Sequence, residues 1–158
     1  MHVNFKKLRP DATIPSFGHG DSSNAGIDFY ACLPEHCDTV IMPNNGANIP
    51  TGVAWEPDTN IDGYEMYIGW KPAMIIKGRS GLAINSGIEE CNAGVIDSGY
   101  RGEIILRLYN HGTDAFTIHT GDRIAQGIVV LLPYIEVKEV SVLSDSIRGA
   151  SGFGSSGR

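Results

Sequence analysis

The stretch from Asn92 to Glu103 brings an aspartate, a tyrosine and three glycines together within twelve residues. Asp97 follows the β-branched pair Val95 and Ile96, and a tight Asp-Ser-Gly turn leads to Tyr100, so the pattern predicts a hairpin whose second arm begins there. A carboxylate at a strand end can face a cleft and accept a proton from water as a general base. An aspartate that only caps the turn fits the same pattern.

A second group of residues that could bind a ligand is Arg79, Ser80 and Gly81, which precedes a short apolar run. The spacing predicts a helix over 80–85 with Ser80 as its cap. Forked guanidinium donors, a hydroxyl and helix-start amides suit phosphate oxygens. A surface arginine before a capping serine is the alternative interpretation.

Two polar residues interrupt apolar strands. Asp28 lies within residues 25–31, and aspartate is depleted in strands, so a turn, an arginine or metal-bound water must hold it. Gln126 is the single amide in the most apolar segment of the chain. A buried amide must be hydrogen-bonded, here either to backbone or to a ligand.

These groups must be positioned by strands, because the apolar stretches are short, rich in Val, Ile, Tyr and Thr, and separated by Gly, Pro and Asn. The pattern predicts an all-β fold, which could be a sandwich, a barrel or a jelly roll. The predicted strands cover residues 3–8, 27–32, 39–42, 52–56, 64–70, 103–110, 115–118 and 124–132.

Composition limits the ligands and the location. The formal net charge is −6 and the pI is about 5.2, which excludes a broad nucleic-acid groove, so local cations must hold any anionic ligand. The sequence shows no signal peptide and no membrane-length apolar run. Three cysteines without a CxxC pair indicate neither a disulfide framework nor a zinc site, and favour a soluble, reducing compartment.

The C-terminal fifteen residues have a different composition, because nine of them are Ser or Gly. Such a segment is flexible by default. We therefore expect a β-domain over 1–143 and a flexible segment over 144–158. This segment still carries a cation, Arg148, and an aromatic residue, Phe153.

Five segments, taken in order, resemble the five motifs of the trimeric dUTP diphosphatase (dUTPase) family. They are AGIDFYA at 25–31, GRSGLA at 78–83, NAGVIDSGYRGE at 92–103, GDRIAQ at 121–126 and RGASGFGSSG at 148–157. The resemblance implies a jelly-roll-like β-barrel subunit in a homotrimer, with active sites at subunit interfaces. It also implies hydrolysis of dUTP to dUMP and pyrophosphate with Mg²⁺, which limits uracil in DNA and supplies dUMP for dTTP synthesis. The soluble, reducing compartment indicated by the cysteines leads us to expect a cytoplasmic protein.

The resemblance assigns roles to individual residues. Asp97 is the implied base that activates water, Tyr100 packs under the deoxyribose and excludes a 2′-hydroxyl, and Asp28 acts on the metal through water. The implied contacts to uracil and the walls of its pocket are Cys91, Asn92, Gly94, Val95, Ile96, Ile105 and the stacking ring of Phe153. The implied phosphate contacts are Arg79, Ser80, Gly81, Gln126, Arg148, Gly154, Ser155 and Ser156, the last four on a tail that closes as a lid.

Three features depart from the family pattern. Cys91 stands where the motif-three asparagine is usual, and Ser151 stands where glycine is usual. The interval from Asp28 to Arg79 is 51 positions, with a surplus at residues 59–73 that includes Tyr64, Tyr67 and Trp70. This insert is interpreted either as an extended hairpin or as a surface for a protein partner.

Two other functions remain open at the level of sequence. A dCTP deaminase shares the implied fold and would need a glutamate base, for which Glu89, Glu90 and Glu103 are candidates. A regulatory binding protein on the same fold would use the insert. The Asp97–Tyr100 pattern and the tail favour hydrolysis at phosphate.

Overall fold

The computed structural model describes residues 2–34, 37–58, 69–91 and 94–151. Over these ranges the chain forms antiparallel strands, one 3₁₀ turn (Gly18–Gly20) and one short α-helix, α1 (Ser80–Ser86). The strands are β1 (His2–Lys7), β2 (Ser16–Phe17), β3 (Ile27–Tyr30), β4 (Thr39–Ile41), β5 (Asn45–Pro50), β6 (Val53–Asp58), β7 (Trp70–Gly78), β8 (Ile88–Glu90), β9 (Val95–Asp97), β10 (Ile105–Asn110), β11 (Phe116–Ile118) and β12 (Arg123–Pro133).

The described strands are arranged in four sheets. The largest has the order β2-β3-β12-β7-β9, and the others are β5-β10-β8, β1-β6 and β11-β4. The long strand β12 is central to the largest sheet, because it pairs with β7 from Ala125 to Pro133 and with β3 on its other side. This arrangement confirms the all-β prediction.

One apolar core joins the sheets. Its largest fully buried side chains include Trp55 of β6, Phe29 of β3 and Met74 of β7. Phe5 of β1 meets Phe29 edge to face, with ring centroids 5.9 Å apart. Burying side chains of this size stabilises the fold by about 1.5–3 kcal/mol each. Packing in the core thus holds the strands that carry the candidate site residues in place.

The predicted hairpin at 92–103 is only partly correct. The turn is present, since the N–H of Tyr100 donates to the carbonyl of Asp97 at 3.1 Å. The two arms do not pair, because β9 pairs with β7 and β10 pairs with β5 and β8. Arg79, not Ser80, is the N-cap residue of α1, and no side chain caps this end.

The predicted insert at 59–73 is described only from Gly69 onward. Trp70 is the first residue of β7 and pairs with Pro133, and the register continues through Ala73. The flanking strands β6 and β7 lie in different sheets. Tyr64, Tyr67 and the rest of 59–68 lie outside the described residues, so a partner surface there stays a prediction.

The cysteines of the described chain are all free. Cys32 is buried and Cys37 and Cys91 are exposed. Burial raises the pKa of the Cys32 thiol, which keeps it protonated as a small apolar side chain. Separately, none of the described helices is long and apolar enough to cross a membrane.

Candidate functional site

The predicted base Asp97 and the predicted sugar wall Tyr100 line one cleft of about 260 Å³, which we call the Asp97 cleft. Asp97 is the last residue of β9, and both side chains are exposed. The strand end therefore presents a carboxylate beside an aromatic ring, as the sequence predicts. The lining residues are Val95, Ile96, Asp97, Tyr100, Glu103, Ile104 and Ile105.

Some of the backbone groups expected to contact uracil already form hydrogen bonds with neighbouring strands. The N–H of Cys91 donates to the carbonyl of Arg107 at 2.9 Å, and the carbonyl of Gly94 accepts from Ile76 at 2.7 Å. Among the described strands, β9 is the outer strand of its sheet, so its outer edge can pair with a base. Asn92 lies outside the described residues.

The predicted phosphate-binding residues line a second cleft of about 260 Å³, which we call the Arg79 cleft. It opens where α1 begins and where β3 and β12 pair. Arg79, Ser80, Gly81, Gln126 and Asp28 meet here, so the structure brings together five residues that the sequence singled out. The remaining lining residues are Gly18, Asn24, Ala25, Gly26 and Arg123.

The carboxylate of Asp28 lies between two guanidinium groups. Oδ1 is 3.2 Å from Nε of Arg79, and Oδ2 is 3.3 Å from Nη1 of Arg123. Asp28 is buried, whereas the arginine side chains are 28% and 39% exposed. One buried charge thus orients two cations that still reach solvent, an arrangement suited to anionic oxygens.

Arg123 is a site residue that sequence reasoning missed. In a regular strand, Arg123 and Gln126 would point to opposite faces because they are three residues apart. The pairing of β12 with β3 shifts register between Arg123 and Ala125, and a β-bulge of this kind redirects side chains. Both residues therefore line the Arg79 cleft. The available signal in the sequence was that these two polar residues flank the apolar pair Ile124 and Ala125.

Gln126 is held loosely within the cleft. It is opposite Asp28 in the β12–β3 register, and its Nε2 is 3.5 Å from the carbonyl of Gly78. A Cβ at Gly26 would lie 2.8 Å from Oε1 of Gln126. Glycine at position 26 therefore leaves the space that the amide occupies. Because the hydrogen bond to Gly78 is long, Gln126 can readily replace it with a hydrogen bond to a ligand.

The two clefts lie at different points along β7. Asp97 is opposite Ala73, whereas Arg79 follows Gly78 at the far end of the strand. Six residues of extended chain separate these points by about 20 Å. A base must approach its proton to about 3 Å, directly or through one water. One chain therefore does not place Asp97 beside the cations of its own Arg79 cleft.

The tail residues form no part of either cleft as described. Arg148 is exposed, and its Nε donates to the carbonyl of Ser151 at 2.8 Å. Phe153, Gly154, Ser155 and Ser156 lie outside the described residues. The lid assignment stays a prediction.

The described residues fit a magnesium ion carried by phosphates. No cluster of three or more His, Cys, Asp or Glu side chains occurs in the described ranges, and Asp28 is the single carboxylate lining the described Arg79 cleft. Mg²⁺ commonly binds through one or two carboxylates together with substrate phosphates and waters. The donor set therefore suits an ion that arrives with a nucleotide.

Replacing Asp28 with asparagine tests this arrangement. Asp28→Asn leaves Arg79 and Arg123 without their shared counter-charge, so we expect a loss of about 1–3 kcal/mol in the free energy of unfolding. The KM for a triphosphate substrate should rise because the guanidinium groups lose their orientation. Urea unfolding and steady-state kinetics measure the two effects.

Asp11→Asn is the matched control for that variant. Asp11 pairs with Arg9 at 2.9 Å, its side chain is 35% exposed, and neither residue lines the two clefts. Exposed pairs contribute about 0–1 kcal/mol, so stability should change little and KM should stay constant. Equal effects of the two substitutions would contradict a special role for Asp28.

Comparison with known proteins adds an independent line of evidence. The family model described as dUTPase matches residues 12–157. The deoxyuridine 5′-triphosphate nucleotidohydrolase of Solibacter usitatus is 40% identical over 159 aligned positions, which cover 100% of this chain and 97% of the relative.

Two solved structures show the same fold. The dUTPase of Staphylococcus bacteriophage 80alpha with dUPNHPP superposes with a TM-score of 0.79, at 25% identity and 99% coverage of both chains. A variant dUTPase from phage phi11 of S. aureus, solved with a structural Mg(II) ion, gives a TM-score of 0.71 at 20% identity, covering 90% of this chain and 98% of that one. These likenesses confirm the jelly-roll-like fold.

Proposed function

The chain belongs to the dUTPase family, and on that premise we propose that it is a dUTP diphosphatase that hydrolyses dUTP to dUMP and pyrophosphate. The observation that carries this proposal is the Asp97 cleft, where an exposed carboxylate and an aromatic ring face one opening. The reaction limits uracil incorporation into DNA and supplies dUMP for dTTP synthesis.

In this proposal, Asp97 accepts the proton of the attacking water. The backbone at the end of β9 is fixed by the ladder with β7 and by the turn to Tyr100, so the position of the base in the cleft is set before substrate binds. Tyr100 packs against the sugar, and the outer edge of β9 reads the uracil. A closed pocket that leaves a wrong polar group unpaired discriminates strongly.

The phosphates bind in the Arg79 cleft. Arg79, Ser80, Gly81 and Gln126 hold them, and we add Arg123 because it shares Asp28 with Arg79. Hydrolysis of a phosphoanhydride develops charge on the phosphoryl oxygens, and oriented cations stabilise that charge. Mg²⁺ bound to the phosphates, with Asp28 reaching it through water, would neutralise further charge. Arg148 and Phe153 would close over the nucleotide with Gly154, Ser155 and Ser156.

The active site combines the Asp97 cleft of one copy with the Arg79 cleft of another in a homotrimer. The separation of about 20 Å along β7 within one chain supports this assembly. So does a series of exposed apolar residues in the described C-terminal segment: Tyr134, Ile135, Val137, Val142 and Leu143 are each at least 68% exposed in the single chain. Such surface is typical of an interface.

The deaminase alternative has weaker support. The carboxylate of its candidate base Glu103 accepts from the N–H of Gly52 at 2.7 Å, and the carboxylate of Glu89 lies 3.5 Å from the ring of His111. Among these glutamates, Glu103 alone lines the described Asp97 cleft.

We also place the protein in the cytoplasm, which the three free cysteines support.

Product analysis tests the proposed reaction. The purified protein with Mg²⁺ receives dUTP, UTP, dTTP or dCTP in separate reactions, and nucleotides and pyrophosphate are separated by chromatography. We expect dUMP and pyrophosphate from dUTP alone. Ammonia and dUTP from dCTP would indicate the deaminase, and inactivity on all four would favour the binding protein.

A further inference from the structure

The ring of Tyr100 is held in one position by the two residues that follow Arg101. Its hydroxyl donates to the backbone carbonyl of Glu103 at 2.9 Å. A Cβ built on Gly102 would lie 2.6 Å from Cζ of this ring and closer still to Oη. The ring therefore occupies space that is open because residue 102 has no side chain.

Glu103 is in turn tied to the turn between β5 and β6. Its carboxylate accepts from the N–H of Gly52 at 2.7 Å, and a hydrogen bond to an ionised acceptor is stronger than a neutral one. Next to it, the N–H of Ile104 donates to the carbonyl of Val53 at 2.9 Å, and the hydroxyl of Thr51 donates to the carbonyl of Ile104 at 2.6 Å. The acceptor for the Tyr100 hydroxyl is thus fixed to the turn between β5 and β6.

Arg101 contributes less to this arrangement. It donates to the carbonyl of Ser98 at 2.6 Å and pairs with Glu56 at 2.8 Å. The Arg101 and Glu56 side chains are 51% and 55% exposed, and such pairs contribute little in water. Glu56 therefore serves as a control that contacts the same segment without supporting the Tyr100 ring.

We propose that Gly102 and Glu103 are positioning residues that fix the Tyr100 ring and thereby set the discrimination between deoxyribose and ribose. This inference rests on the proposed function, in which Tyr100 packs against the sugar. Steric exclusion of one hydroxyl requires a wall that does not move, because a shift of a few tenths of an ångström opens or closes a van der Waals contact. The hydrogen bond from its hydroxyl to Glu103 restrains the ring, and the missing side chain of residue 102 leaves the space that the ring occupies.

The test compares kcat/KM for dUTP and UTP in four variants. Gly102→Ala forces the ring away from its place, and we expect the dUTP-to-UTP ratio to fall by about 10-fold or more. Glu103→Ala removes the anchor to Gly52 and should lower the same ratio. Glu103→Gln keeps an acceptor oxygen and should restore most of it, whereas Glu56→Gln should leave the ratio and the dUTP activity unchanged.

The possible outcomes separate this inference from the proposed function. If the wild-type protein does not hydrolyse dUTP, the proposed function fails and the inference with it. If the wild-type protein hydrolyses dUTP and rejects UTP, but Gly102→Ala and Glu103→Ala leave the ratio unchanged or reduce both activities equally, only the inference is overturned. If the circular dichroism spectrum of Gly102→Ala shows that this variant does not fold, the ratio measured for Glu103→Ala decides between these outcomes.

Discussion

Asp97→Asn should lower kcat for dUTP by at least about 10²-fold, because general base catalysis typically contributes 10²–10⁴-fold and an amide does not accept the proton. The substitution preserves the shape of the side chain at the exposed end of β9. Binding of a non-hydrolysable dUTP analogue should therefore stay close to that of the wild-type protein. Rapid-quench kinetics and calorimetric titration measure the two quantities.

Asp114→Asn is a suitable control for that experiment. Asp114 is exposed in the loop between β10 and β11 and lines neither cleft, so its replacement should change neither kcat nor affinity. A loss of analogue binding in Asp97→Asn would show that the carboxylate holds the turn rather than activating water. Full turnover in the variant would require a different base.

Ending the chain at Ile147 should reduce kcat/KM for dUTP by about 10²-fold or more, because a closing segment that orients substrate is worth at least that much. The fold should remain, since the buried core cluster runs from Ala12 to Ala125 and the described segment 134–151 is exposed. Thermal unfolding and steady-state kinetics on the same preparation measure both effects.

Two full-length variants refine the truncation. Arg148→Gln removes one cation of the tail and should raise KM, whereas Lys7→Gln changes an exposed lysine of β1 that lines neither cleft and should have no effect. A truncated chain that unfolds at a clearly lower temperature would contradict the lid interpretation. A truncated chain that keeps its activity on dUTP would also contradict the lid interpretation.

The sequence located several residues that line the two clefts, but not the pairing of the strands. Asp97, Arg79 and Gln126 stood out as polar residues at a predicted strand end, at a predicted helix start and within an apolar run, whereas the role of Tyr100 came from the family resemblance. Which strands pair depends on contacts distant in sequence. Thus β9 and β10, adjacent in the chain, belong to different sheets.

For two of the missed strands, β5 and β7, the physical reason can be identified. β5 contains Asn45, Gly46 and Asn48, which are typical of turns, yet its pairing with β10 over six residues overrides that local preference. β7 shares only Trp70 with the strand predicted over 64–70, and it continues past Pro72. Its partner β9 pairs only from Ala73 to Ile75, so Pro72 lies beyond the end of β9, where a strand tolerates proline.

Mixing two inactive variants tests most directly whether dUTP is hydrolysed at a site shared between copies of the chain. Asp97→Asn and Arg79→Gln chains are unfolded together, refolded at equal concentrations and assayed for dUMP, with co-purification of a tagged and an untagged chain as proof of mixed assembly. Random assortment should restore about a quarter of the wild-type activity, because half of the Asp97 clefts and half of the Arg79 clefts are intact. Mixed assemblies that form but stay inactive would contradict a site shared between copies.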